Sequence, residues 1–143
     1  MIGRGAGNGG GGGSRPENSQ EKDPFEGTWS GNGTVTAHRQ GTDKDKGSAV
    51  DARIDPRENV IAIRIFKSGA GYVLHDLGSG QQMKSTNAGG NRIGFRGRVA
   101  NPRGQTIDVT LDYQVAGNRL TGTQRAEGDD GSLIVMSVSC SKQ

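Results

Sequence analysis

Between Thr106 and Val115 the chain alternates without a break. Ile107, Val109, Leu111, Tyr113 and Val115 fall on one side of an extended backbone, with Thr106, Asp108, Thr110, Asp112 and Gln114 on the other. A period of two with one apolar face specifies a strand that buries one side and wets the other. The pattern recurs along the chain. Ile61, Ile63 and Ile65 oppose Ala62, Arg64 and Phe66, while Ile93, Phe95 and Val99 oppose Arg92, Arg96 and Arg98. Ile134, Met136, Val138 and Cys140 oppose Ser137, Ser139 and Ser141. Helical periodicity is sustained nowhere.

Turn chemistry separates these stretches. It occurs around Gly41–Gly47, Asp55–Asn59, Ser68–Gly71, Gly78–Gly80, Asn87–Asn91, Asn101–Gly104, Ala116–Asn118 and Gly128–Gly131. Glycine supplies positive φ, proline a fixed φ, and Asn, Asp and Ser local side-chain hydrogen bonds. These breaks predict about nine strands in an all-β meander. A long ribbon with short connections must bury its apolar face and protect its edges. The simplest solution pairs the first strand with the last. The expectation is therefore an antiparallel up-and-down β-barrel of about 8–10 strands, preferred over a two-sheet sandwich. Arg96 and Arg98 would then oppose Asp108 and Asp112 on the outer surface.

Composition agrees with this reading. With 29% hydrophobic residues and 26 glycines in 143, the chain has no run of roughly 20 apolar residues that could cross a membrane as a helix. That glycine density also argues against a helical bundle. One Cys excludes an intrachain disulfide and a Cys-rich metal site. Residues 3–14, GRGAGNGGGGGS, have almost no side chains to bury, and the following RPENSQEKDP is polar and aperiodic. Residues 1–24 are expected to be a flexible tail and 25–143 a single domain. Met1 is followed by glycines rather than an apolar leader. These residues do not fix the compartment; a leader removed from upstream would imply a periplasmic or secreted protein.

The opening strand reads Phe25-Glu26-Gly27-Thr28-Trp29-Ser30-Gly31-Asn32-Gly33. Its Gly-x-Trp resembles the start of lipocalins, fatty-acid-binding proteins and avidins, the calycin group. Asn118-Arg119-Leu120-Thr121-Gly122-Thr123 is similar to a late calycin strand. The resemblance implies a barrel whose Trp29 packs across the closed end. Gly-Thr-Trp-x-Gly-x-Gly also resembles the opening of nitrobindin-type haem barrels, which ligate iron through a late-strand histidine. Here His38 and His75 both lie earlier, so no cofactor is expected.

Candidate chemistry is sparse. His38 reads as a surface residue. His75, in Tyr72-Val73-Leu74-His75-Asp76-Leu77, is read as sharing an inward face with Val73 and Leu77. Asp43-Lys44-Asp45-Lys46-Gly47 lacks the third acidic ligand of a calcium loop, and Asp129-Asp130 reads as an ordinary turn. Cys140 is in phase with Met136 and Val138, as a small apolar core residue would be. No nucleophile has a partnered base, so no catalytic residue, metal site or enzyme activity is expected. Asn32-Gly33-Thr34 matches a glycosylation acceptor but lies within a strand.

Two functional expectations follow. In the first, the barrel holds a small apolar ligand in its interior or mouth, lined by Trp29, Tyr72, His75, Ile93, Phe95, Tyr113 and Met136. In the second, the barrel is filled and serves as a structural, inhibitor or adaptor domain. It would then act through an outer face carrying Arg64, Arg92, Arg96 and Arg98, toward a protein or an anionic polymer. The near absence of stacking aromatics on that face argues against nucleic acid.

Overall fold

Eight strands account for most of the residues described in the computed structural model, which are 23–41, 48–50, 59–101 and 103–143. They are β1 (Gly27–Arg39), β2 (Val60–Ser68), β3 (Gly71–Asp76), β4 (Gln82–Gly89), β5 (Arg92–Ala100), β6 (Thr106–Ala116), β7 (Arg119–Gly128) and β8 (Leu133–Lys142). Each pairs antiparallel with its chain neighbour, and β8 pairs with β1, closing the barrel. No α-helix occurs among the described residues, and no helix there is long and apolar enough to cross a membrane.

Among the described residues eight strands form where about nine were expected. The first two turn signals both fall inside the β1–β2 connection, where Ser48–Val50 make a turn rather than a strand. The calcium-loop reading of Asp43–Gly47, the turn at 55–58 and the tail at 1–22 lie outside the described residues. Asp23, next to the expected tail boundary at residue 24, is bonded to the barrel, as described below.

The alternation sets the core. Ile107, Val109, Leu111, Tyr113 and Val115 of β6 are all buried, as are Ile61, Ile63 and Ile65 of β2 and Ile134, Met136, Val138 and Cys140 of β8. The inward positions of β1 are Trp29, Gly31, Gly33 and Val35, opposite Lys142, Cys140, Val138 and Met136. Gly31 is required by crowding: a Cβ there would overlap the Ser139 carbonyl oxygen and the Cys140 backbone. Gly122 is in the same position against Asp112 and Tyr113. A bulge in β1 at Val35–Ala37 shifts the phase, so His38 opposes Ile134 while remaining exposed at the rim.

Both barrel ends are covered. At one end Trp29 is fully buried and its Nε1 donates to the Phe25 carbonyl oxygen at 3.0 Å. Phe25 is itself buried and meets Tyr72 edge-on at 5.4 Å, and the Lys142 ammonium lies 5.0 Å from the centre of a Trp29 ring. At the other end Ala49 and Val50 are buried at 2% and 0% exposure. Their segment is held by Asp130, which accepts from Ala49 N, by Asn101 Nδ2 donating to Ala49 O, and by Arg103 donating to Ser48 O.

Candidate functional site

The expected ligand-lining residues divide by placement. Trp29, Ile93, Phe95, Tyr113 and Met136 point inward, each at 0–1% exposure. These five side chains lie against other protein atoms with almost none of their surface accessible. An eight-stranded barrel has an interior just wide enough for its side chains to fill, and here bulky residues do so. Tyr72 is half-buried at the Trp29 end, packed against the core rather than within it.

His75 is not among them. Leu74 opposes Ile65, and both are buried, whereas His75 opposes exposed Arg64. Directly paired residues share a face, so His75 lies on the outer surface beside Arg64, and the expected inward orientation is corrected. Leu77, read with it as inward, is 46% exposed in the turn after β3. The sequence was ambiguous because Val73 and Leu77 bracket His75 as evenly as Tyr72 and Leu74 bracket Val73.

The Tyr72 hydroxyl instead donates to the Asp23 carboxylate. That carboxylate also accepts from Phe25 N and Glu26 N and lies 3.6 Å from Lys67 Nζ. Burial pushes the Asp23 pKa up, but the bonds from Tyr72, Phe25 and Glu26 and the Lys67 charge outweigh it and hold the carboxyl below its ordinary value. Burial and the bond to Asp23 push the Tyr72 phenol up to about 12. Cys140 is buried and its thiol is pushed up to about 11 by desolvation, which leaves an inert core residue. Among the described residues no cluster of His, Cys, Asp and Glu could hold a metal ion.

The outer surface carries the distinctive chemistry. Arg92, Arg96 and Arg98 all project from β5, and Arg64 projects from β2, as expected. Across the β4–β5 ladder Lys84 directly opposes Arg96, both exposed. The outward positions of β2–β5 thus hold Arg64, Lys84, Arg92, Arg96 and Arg98 with His75, and no acidic residue. The single acid on these strands, Asp76, opposes buried Ile63 and accepts from Gly78 N in the following turn. Like charges placed directly opposite destabilise a ladder, so the Lys84–Arg96 pair opposes the fold locally rather than supporting it.

Neutralisation of this face is confined to one border. Arg98 makes two bonds to Asp108, at 3.0 and 3.2 Å, and holds that carboxyl below its usual range. Arg96 opposes Thr110, not an aspartate, and Asp112 opposes Gly94, so the expected second cross-strand pair does not form. Arg64 lies 5.5 Å from the Phe66 ring centre and makes no ion pair, nor do Lys84, Arg92 or Arg96 among the described residues. A depression of about 320 Å³ at the Arg98–Asp108 border is lined also by Thr106, Glu127, Gly128 and Asp129. Its charges are largely matched within the chain.

Lys84 escaped the sequence reading because β4, QMKSTNAG, has one large apolar residue and a bulge. The usable signal was Met83: a lone buried residue there fixes Lys84 outward. Asp23 and Asp130 escaped because both were read as tail or turn, without a view of what their carboxylates cap. Comparisons of the chain with protein-family models, with curated proteins and with solved structures returned no match.

Proposed function

We propose that the protein is a non-enzymatic recognition domain: a filled barrel that docks an anionic partner on the outer face of β2–β5. The observation that carries this reading is the cationic surface with no acid at the outward positions of β2–β5, where Lys84 is set directly against Arg96 and four cations have no ion pair among the described residues. Local repulsion costs stability unless something outside the chain offsets it. A small ligand in the interior is disfavoured, because the five side chains that would line it are only 0–1% exposed. A calycin-type relationship belongs to the same reading. It is supported by the strict meander order and by Trp29 buried beneath one barrel end.

The test is retention on an immobilised polyanion at matched net charge. One variant replaces Arg64, Lys84 and Arg96 with Ser; the control replaces Arg39, Arg119 and Arg125 with Ser. Both lose three cations, all exposed in the fold. The first variant should elute at clearly lower salt than the control. Identical elution would mean that net charge alone governs binding and would remove the case for a docking face.

A further inference from the structure

Resting on that reading, we infer that the partner is a flexible acidic peptide segment with aliphatic side chains, wrapped across β2–β5, rather than a membrane, a polysaccharide or a duplex nucleic acid. Curvature is the first argument. Arg64 on β2 and Arg96 on β5 stand three of the eight inter-strand steps apart around a closed barrel, so their outward directions differ by more than a right angle. A flat bilayer or a stiff rod cannot reach both, whereas a bending chain can. Three steps at roughly 4.8 Å each span about 15 Å, the reach of about five extended residues.

Apolar exposure is the second argument. Val60 is 63% exposed and Leu77 is 46% exposed. They share one neighbourhood: Val60 and Ala62 lie on the same outward side of β2, and Leu77 N donates to Ala62 O. Arg64, His75 and Gln82 form the next row, and half-buried Phe66 and Val73 share the row after it with Lys84 and Arg96. Apolar and cationic side chains therefore lie side by side across the face. Sulfated sugars and nucleic acid backbones supply the anions but no aliphatic groups to cover Val60 and Leu77. Closure of the barrel leaves no free strand edge, so the peptide cannot add as an extra strand and must be held by side chains.

The experiment titrates the full chain, by fluorescence anisotropy at low salt, into three labelled probes. These are a short all-glutamate peptide, the same peptide with two glutamates replaced by leucine, and a short DNA duplex. The leucine-bearing peptide should bind about tenfold more tightly than the all-glutamate one. Replacing Val60 and Leu77 with Ser should abolish that advantage while leaving all-glutamate binding unchanged; both residues are exposed, so the fold is kept. Lys84→Glu with Arg96→Glu should abolish binding of both peptides. Equal affinity for the two peptides, or a leucine preference that survives V60S/L77S, would overturn the wrapped-peptide inference while leaving the anionic docking face standing. Tighter binding of the duplex would overturn the choice of partner. Binding to none of the probes would overturn the docking face itself.

Discussion

Tyr72 and Asp23 tie the residues preceding β1 to the barrel end, and their titration gives the bond a defined pH window. Asp23 has its folded pKa lowered, so its contribution is present above the ordinary carboxylate value of about 3.9 and is lost as pH falls through the lowered value. Tyr72 has its folded pKa raised, so its contribution is complete below about 10 and is lost as pH rises toward about 12. Tyr72→Phe should cost about 1–2 kcal/mol at neutral pH. The gap between wild type and variant in urea denaturation should narrow at both extremes. A gap that stays constant from acid to strong base would show that the charge on the Asp23 carboxylate adds nothing to the anchor. Cys140 offers a second check at this scale. Buried and with its thiol raised to about 11, it should resist alkylation in the folded protein and react at once after unfolding; prompt labelling of the native chain would place it at the surface.

At the scale of strands, the alternation of β2, β6 and β8 was legible because large apolar residues mark every second position. Inward placement of Tyr113 and Met136 followed from it, that of Ile93 and Phe95 from the same alternation in β5, and that of Trp29 from the calycin resemblance. What was not legible depends on register, which a single strand does not contain. Arg96 lands on Thr110 instead of an aspartate because the β5–β6 turn sets the pairing, and His75 faces outward because Leu74 meets Ile65. Weak strands hid the rest: β4 has too few apolar residues to announce its phase, so Lys84 went unread. Close approach of β1 and β8 makes a further prediction. Gly31→Ala would drive a Cβ into the Ser139 carbonyl and should destabilise by about 1–3 kcal/mol through forced backbone shifts. Thermal unfolding no different from wild type would show that these strands are not as tightly joined as the pairing requires. In the loop covering the opposite end, Asp130→Ala would release Ser132 and Ala49 N together, with a loss of similar size expected.

For the whole molecule, packing and charge point the same way. A closed ribbon removes free edges, its largest inward side chains are buried, and on the proposed reading the flanks are the working surface. Among those flanks, β2–β5 is the one where cations accumulate without acids, and where exposed aliphatic residues lie beside them. The fold class could be read from periodicity, and part of this surface from the spacing of Arg92, Arg96 and Arg98. Its extent could not, because Arg64, Lys84 and the β5 arginines become neighbours only when the ribbon curls. The most direct test follows the amide proton–nitrogen correlation spectrum of the full chain during titration with the leucine-bearing acidic peptide. Shifts should concentrate at Arg64, His75, Leu77, Lys84 and Arg96, with the Trp29 indole signal unmoved. Shifts centred on Trp29, Phe95 and Tyr113, or on the seryl face of β8, would contradict a packed barrel that works from its cationic flank.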